Sequence, residues 1–147
     1  MIDYIVTAVK EREDHVNYLR KHIPNLIVVW DKWKDPMETF MRAWGEYPVR
    51  PSIRLQDDVV LTKNFCEKVE NVIRQHPNDV IQFFSRRKKD IEVGTRWETP
   101  SGYLNNQCHY LPKGMAGRIF DFGLTWEYIE EHPTADDLLM RHFFTEK

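Results

Sequence analysis

Two adjacent aspartates, Asp57 and Asp58, follow the apolar segment SIRLQ and have residue types and spacing suited to chemistry. Neighbouring carboxylates repel each other, and a hard divalent cation that takes oxygen ligands removes this repulsion. A Mn²⁺ or Mg²⁺ ion shared between such carboxylates and a diphosphate would neutralise charge on a departing nucleotide. The alternative is a solvated turn that only ends a strand. The pair by itself leaves both interpretations open.

A second acidic pair, Asp136 and Asp137, lies close to the end of the chain. A carboxylate beside a bound substrate can take the proton from an attacking hydroxyl group, and both acids have the residue type for this role. The same acids, two and three residues after Thr134, also fit the first turn of a capped helix, where they would meet the positive end of the helix dipole. Capping and catalysis are compatible, so both roles stay open.

The elements that must position these acids alternate along the first 84 residues. Apolar and β-branched runs predict strands over 2–9, 26–30, 52–56 and 80–84. Helical spacing predicts helices over 11–22, after Asp35-Pro36 with a stop at Gly45, and from Phe65 to His76-Pro77. This alternation predicts an α/β fold in which a mostly parallel sheet is flanked by helices. Ligands of open α/β sheets bind beyond the carboxyl ends of the strands, where Asp57 and Asp58 would lie.

The rest of the chain is less regular. We expect short strands near 91–98 and 103–111, helices around 114–121 and 124–131, and a last helix from Thr134 that carries Leu138, Leu139 and Phe143. There is no repeat, low-complexity stretch or clear linker, and 147 residues suit one domain. The predicted organisation is therefore a single domain over residues 1–147.

Composition excludes several classes of protein. A formal net charge of −2 gives no reason to expect nonspecific binding to nucleic acid. Cys66 and Cys108 form neither a disulfide framework nor a zinc-ligand pattern. The first residues lack the pattern of a signal peptide, and no apolar stretch approaches the roughly 20 residues of a membrane span. We therefore expect a cytoplasmic location, with the thiols reduced.

The segment RLQDDVVLTKNFCEKVENVI runs from an apolar strand through an acidic cluster into a helix. It resembles the Asp-x-Asp region of glycosyltransferases with the GT-A fold, which is Rossmann-like. The resemblance covers residues 2–84 by the order of elements and the remainder more loosely. It implies Asp58 as the principal metal ligand, with Asp57 near the metal or the ribose. Gln56 stands where the family has the first acid of the motif, and this departure puts the strength of metal binding in doubt.

The same resemblance implies a nucleoside-diphosphate sugar donor and an acceptor hydroxyl group, with residues 1–84 as the donor-binding half and 85–147 as the acceptor and catalytic half. The implied donor-binding residues lie in the loop after the first strand, after the second strand and in the motif, and are Thr7, Ala8, Val9, Arg12, Asp31 and Asp57. Asp31 would read the base. The expected activity is metal-dependent transfer of a sugar, with inversion favoured and Asp137 as general base. The short chain fits a compact enzyme of phage type, which would act in the host cytoplasm.

Other interpretations remain. A nucleotidyltransferase or phosphotransferase could use the same metal site, although no P-loop motif is present. A nucleotide-sugar-binding or assembly module without turnover is a further alternative, because GT-A enzymes usually carry a longer acceptor region. Secondary candidates for binding are two histidines, a basic run, three aromatic residues and a glycine-containing turn: His109, His142, Arg86-Arg87-Lys88-Lys89, Trp97, Tyr103, Trp126 and Tyr110–Gly117. Each has an ordinary structural role as its alternative.

Overall fold

The computed structural model describes residues 1–84, 106–127 and 136–145. The strands are β1 (Asp3–Ala8), β2 (Ile27–Trp30), β3 (Ser52–Gln56), β4 (Ile81–Gln82) and β5 (Cys108–Leu111). The helices are α1 (Glu13–His22), α2 (Pro36–Glu46), α3 (Phe65–Gln75), α4 (Met115–Leu124) and α5 (Asp136–Thr145), with a 3₁₀ turn (Lys10–Arg12) ahead of α1.

The five strands form one mixed sheet in the order β2-β1-β3-β5-β4. β1 pairs in parallel with β2 and β3, whereas β5 runs antiparallel to both β3 and β4. The α/β class is therefore confirmed, but the expected mostly parallel sheet is instead a mixed one. The alternation of strands and helices predicts parallel pairing only up to residue 84, and no pattern in the later sequence fixes the direction of β5.

Successive residues of a strand point to opposite faces of the sheet, so each strand can place apolar side chains on both faces. Helices cover both of these faces. Alternate residues of β1, β3 and β5 pack with α1 and α3 in one apolar cluster, which contains Tyr4, Val6, Leu19, Ile23, Ile53, Leu55, Val69, Ile73, Cys108 and Tyr110. On the other face α2, α4 and α5 share a second cluster built from Met37, Phe40, Trp44, Leu111, Ala116, Ile119, Trp126, Leu139, Met140, Phe143 and Phe144. Both faces are buried, as is usual for the parallel strands of α/β proteins.

Local sequence signals explain where the helices begin. The Asp35 carboxylate accepts a hydrogen bond from the Glu38 N–H at 3.1 Å, and Pro36 is the first helical residue of α2, as the sequence predicts. The predicted stop at Gly45 is wrong by one residue, since α2 continues to Glu46. Gly45 is required inside the helix because the Phe120 ring lies where its side chain would be, 2.8 Å from an ideal Cβ.

A buried arginine joins α2 to the sheet. Arg54 of β3 donates to the backbone C=O groups of Ala43 and Tyr47, at 2.8 and 2.7 Å, and to the Ser52 hydroxyl at 2.7 Å. Burial lowers its pKa from 12.5 to about 10. The guanidinium thus satisfies carbonyl groups at the end of a helix, which would otherwise be buried without donors.

β5 joins the two predicted halves of the chain, because it lies in the sheet between β3 and β4. The first and second halves therefore share one sheet and do not form separate units. The fourth predicted strand shortens to Ile81–Gln82, and the strand expected over 103–111 is found as Cys108–Leu111. The strand expected over 91–98 and the second half of the helix expected over 124–131 lie outside the described residues. The first half of that helix is not found, because the helix expected around 114–121 extends to Leu124 and the chain from Thr125 to Glu127 is not helical. Over the described part of the chain, no helix has both the length and the apolar character to cross a membrane.

Candidate functional site

The carboxyl ends of three parallel strands meet at one edge of the sheet. Ala8 of β1 is in register with Trp30 of β2, and Thr7 of β1 with Gln56 of β3. The loops that start at Val9, Asp31 and Asp57 therefore leave the sheet side by side. We call this region the carboxyl edge. It brings together the residues that the sequence assigns to donor and metal binding, and Thr7 and Ala8 contribute to it as the last residues of β1.

Asp57 is the buried member of the acidic pair and links two of these loops. Its Oδ2 accepts the Val9 N–H at 2.8 Å, and its Oδ1 accepts Nη1 of Arg12 at 2.6 Å. Only 6% of the Asp57 side chain is exposed, against 52% for Arg12. The paired carboxylate, and secondarily Asp58, raise the pKa of the Arg12 guanidinium. Both oxygens of Asp57 are thus engaged by the protein, which gives this residue a positioning role for the loop after β1.

Asp58 is the exposed member of the pair, and the chain on both sides of it is fixed. Two residues of α1 contact the loop that follows: His15 Nε2 lies 2.7 Å from the Val59 C=O, and the Tyr18 hydroxyl accepts the Leu61 N–H at 3.1 Å. A carboxylate that faces solvent on a fixed backbone is well suited to a ligand that arrives from solution.

Asp31 shapes the loop after β2. Its backbone N–H donates to the Ala8 C=O at 2.7 Å, which continues the pairing of β1 with β2. Its Oδ1 accepts the N–H groups of Trp33 and Asp35 at 3.2 and 3.0 Å. Beside it, the Lys10 ammonium lies 4.4 Å from the centre of the Trp30 ring, a cation–π contact between the loop after β1 and the end of β2. One oxygen of Asp31 therefore serves its own loop.

The antiparallel course of β5 brings the second half of the chain to the carboxyl edge. Leu55 is in register with Cys108, and the Gln56 N–H donates to the Gln107 C=O at 3.0 Å. The adjacent residue, Asn106, donates its backbone N–H to the carboxylate of Asp137 on α5. Asp137 therefore lies against the strand that adjoins Gln56. It lies far along the sequence from the first acidic pair, and in the described part of the chain β5 pairs with the strand that ends at this pair.

The environment of Asp137 changes its acidity. Burial raises the pKa of its carboxyl group above 3.8, and the Asn106 N–H and the Arg141 charge oppose this rise only in part. Its Oδ1 is buried and accepts no hydrogen bond from any residue in the described ranges. A carboxylate with a raised pKa is a stronger proton acceptor than an ordinary aspartate, which suits a general base. Asp136 is the first residue of α5, as the capping interpretation expects of this pair.

The two histidines considered as further metal ligands lie elsewhere. His109 is in register with Arg54 inside the sheet, where burial and the Arg54 charge lower its pKa to about 3. The Nδ1 of His142 accepts the indole N–H of Trp126 at 3.2 Å, and the two rings meet edge to face. Trp126 is thereby a core residue, 6% exposed, rather than part of a sugar-binding surface.

The glycine-containing turn is found away from the carboxyl edge. The Gly114 N–H donates to the Val49 C=O at 2.8 Å and the Gly117 N–H to the Pro48 C=O at 3.1 Å, close to the start of β3. Gly114 has a positive φ of 78°, which explains the glycine. This turn therefore serves the fold. The basic run 86–89, Trp97 and Tyr103 lie outside the described residues.

A groove of about 460 Å³ opens beside Asp58. It runs between the 58–62 loop, one side of α3, and residues in or next to β3, β4 and β5. Most of its lining is apolar and includes Val60, Phe65, Val72, Phe83 and Phe84. Its size is within the range of small-molecule sites. The sequence gives no sign of it, because it is formed by segments that are distant along the chain.

The carboxyl edge offers few protein ligands to a metal ion. Among the residues that the structure describes, no three or more His, Cys, Asp and Glu side chains are grouped so as to hold a metal ion. A site made of Asp58 with few other protein ligands fits a cation that takes most of its ligands from phosphate and water. It does not fit a cation held by the protein alone.

The sequence does not predict three residues that contact the site or the chain next to it, namely His15, Tyr18 and Asn106. His15 and Tyr18 are ordinary polar positions of an amphipathic helix, 43 or 44 residues from their partners. Asn106 lies in an irregular stretch and acts through its backbone. Comparison with protein-family models and with curated proteins gives no match for this chain.

Proposed function

We propose that this protein binds a nucleoside-diphosphate sugar at the carboxyl edge, with a Mn²⁺ or Mg²⁺ ion at Asp58, and transfers the sugar to an acceptor hydroxyl group. One observation carries the proposal: Asp58 presents an exposed carboxylate directly beside the loop that Asp57 holds through Val9 and Arg12. The order of the elements and the residues around Gln56-Asp57-Asp58 resemble a GT-A glycosyltransferase and support the same function.

Each of the proposed donor-binding residues has a different role. Asp57 keeps the loop after β1 in place, so that the exposed side of Arg12 can face the nucleotide. Asp31 would accept from the base through Oδ2, since Oδ1 is bonded to its own loop. Asp58 would hold the metal ion, which supplies positive charge to the diphosphate as it leaves.

The reaction requires one proton transfer from the acceptor. The acceptor oxygen forms a bond to the anomeric carbon, the bond from that carbon to the diphosphate oxygen breaks, and the hydroxyl proton passes to the Asp137 carboxylate. The raised pKa of Asp137 favours this acceptance of the proton.

A thermal-shift screen of nucleoside diphosphates, with and without Mn²⁺, tests the proposal, because a ligand that binds the native state raises the unfolding temperature. We expect at least one diphosphate to raise it in the presence of Mn²⁺, and the Asp58→Ala variant to lose the Mn²⁺-dependent part of the shift. Asp121→Ala, which removes an exposed acid on α4, is the matched control and should behave like the wild type. A shift that is unchanged in Asp58→Ala would exclude this residue as the metal ligand.

Release of nucleoside diphosphate from sugar donors separates the related functions. A glycosyltransferase releases nucleoside diphosphate from the sugar donor, and this release should be seen in a screen of varied acceptor alcohols. A binding module without turnover shows the thermal shift but no release, and a nucleotidyltransferase or phosphotransferase cleaves within the diphosphate instead. Each outcome is visible by chromatography of the nucleotide products.

A further inference from the structure

We propose that His15 and Tyr18 are positioning residues for Asp58, which they hold in place through the loop that follows it. The inference rests on the proposed function and names two residues that the proposed chemistry does not itself require. The geometry that carries it is the set of contacts around Asp58: one anchor lies immediately before it in the chain, and two lie within three residues after it.

The anchor before Asp58 is the side chain of Asp57, which the Val9 N–H and Arg12 fix from the loop after β1. The first anchor after Asp58 is the Val59 C=O, 2.7 Å from His15 Nε2. A carbonyl oxygen can only accept, so Nε2 carries the hydrogen and donates. The second is the Leu61 N–H, which donates to the Tyr18 hydroxyl at 3.1 Å.

His15 and Tyr18 act from one rigid surface. They are three residues apart on α1, and therefore lie on the same side of the helix. Their ring centres are 5.0 Å apart, and on its other side the Tyr18 ring packs against His22 at 4.8 Å. The row of rings limits the movement of each side chain, so that the two hydrogen bonds hold the loop against a helix and not against another loop.

The apolar residues of the loop divide between the core and the surface. Val59 and Leu61, the two anchored residues, are partly buried against the apolar cluster under α1 and α3, whereas Val60 between them is 79% exposed. The anchors leave Asp58 and Val60 at the surface, on the border of the groove. The physical advantage of the anchors is a fixed position for the Asp58 backbone, since partners that orient a metal ligand raise the affinity of the site.

The test is a Mn²⁺ titration of the full chain at one fixed pH near neutrality, followed by the relaxation rate of water protons. We expect His15→Ala to weaken Mn²⁺ binding about tenfold, at the lower end of the effect of orienting partners. His15→Gln places an amide N–H where Nε2 stood and should restore binding to within about twofold of the wild type. Tyr18→Phe removes only the hydroxyl group and should weaken binding less than His15→Ala. His76→Ala, at the end of α3, is the control for loss of a histidine elsewhere.

The outcomes separate the two proposals. If the wild type binds no Mn²⁺, alone or with a nucleoside diphosphate, the proposed function fails and the positioning role fails with it. If the wild type binds Mn²⁺, and Tyr18→Phe, His15→Gln and a folded His15→Ala all bind it with the same affinity, only the positioning role is overturned. If His15→Ala does not fold, Tyr18→Phe decides: unchanged binding contradicts the inference, and weakened binding with an unchanged unfolding temperature supports it.

Discussion

Arg12 and Asp57 join the loop after the first strand to the end of the third, with 2.6 Å between Nη1 of the arginine and Oδ1 of the aspartate. The Val9 N–H occupies the other oxygen of the same carboxylate. The buried acid of the pair thus organises the protein, and the exposed acid, Asp58, is the one that can meet a ligand. This division of roles between two identical neighbours leads to different predictions for their variants.

Replacing Asp57 by alanine should reduce both stability and nucleotide affinity. The Val9 N–H and the Arg12 guanidinium lose their acceptor, which costs about 1–3 kcal/mol in the free energy of unfolding. The released loop should weaken nucleoside diphosphate binding both with and without Mn²⁺, whereas Asp58→Ala should affect only the metal-dependent part. Urea unfolding and calorimetric titration measure the two effects.

Arg12→Ala is the companion variant for the same contact. We expect it to cost about 1 kcal/mol or less, because the arginine is half exposed and water can replace it at the carboxylate. A loss in Arg12→Ala equal to that in Asp57→Ala would mean that the ion pair, and not the hydrogen bond to Val9, holds the loop.

Replacing Asp137 by asparagine should separate catalysis from binding. The amide has nearly the shape of the carboxylate but cannot take a proton, so the rate of transfer should fall by about 100-fold or more. Donor affinity should stay within about twofold of the wild type. Asp136→Asn is the control and should keep the rate; a fall in that variant alone would move the role of base to Asp136.

The rate of transfer should also depend on pH. The base works only when ionised, so the rate rises with pH through the pKa of Asp137. Burial places this pKa above the ordinary 3.8, and the acid limb of the profile should accordingly lie above that of an exposed aspartate. A profile that is flat down to the ordinary aspartate range would contradict the assignment.

His109 should make the protein sensitive to acid. Its pKa in the folded state is about 3, below the value of 6.5 for a free histidine. Between these two values the histidine is protonated in the unfolded chain and neutral in the folded one. The stabilising contribution is complete above pH 6.5 and is lost as the pH falls towards 3. The free energy of unfolding should fall by up to about 1.4 kcal/mol per pH unit over this range.

His109→Gln tests the source of this acid sensitivity, because glutamine retains hydrogen-bonding groups but does not titrate. Urea unfolding at several pH values should show a shallower decline below neutrality in the variant than in the wild type, whatever its absolute stability. Equal slopes in His109→Gln and the wild type would show that other groups cause the acid sensitivity.

Replacing Gly45 by alanine should destabilise the protein, although alanine is the better helix former by about 1 kcal/mol. The new Cβ would stand 2.8 Å from Cε2 of Phe120, a partly buried ring that packs against the core cluster of α2, α4 and α5, and displacement of this ring would disturb that packing. We expect a net loss of about 1–3 kcal/mol in the free energy of unfolding, as for other overpacked cores. The double variant Gly45→Ala/Phe120→Leu should recover part of it, and an unchanged or higher stability in the single variant would show that α2 and α4 can separate at this point.

Much of the first half of the fold follows from local chemistry. The strand over Ser52–Gln56 has the bounds that its sequence predicts, and α2 starts where Asp35 and Pro36 place it. The apolar residues Val16, Leu19 and Ile23 are buried as their spacing indicates. These features could be predicted because a helix period, a capping residue or an apolar run acts over a few residues, and its effect does not depend on the rest of the chain.

The features that define the candidate site lie beyond such signals. The sequence by itself determined that two acids follow a strand and that strands and helices alternate, and hence that these acids would lie at one edge of a sheet. Only the tertiary structure decided that β5 enters the sheet in the antiparallel direction and brings Asp137 to that edge, and that Asp57 is buried against Arg12 while Asp58 faces solvent. These outcomes depend on contacts between residues 43 or more positions apart, and such contacts form only when the whole sheet assembles.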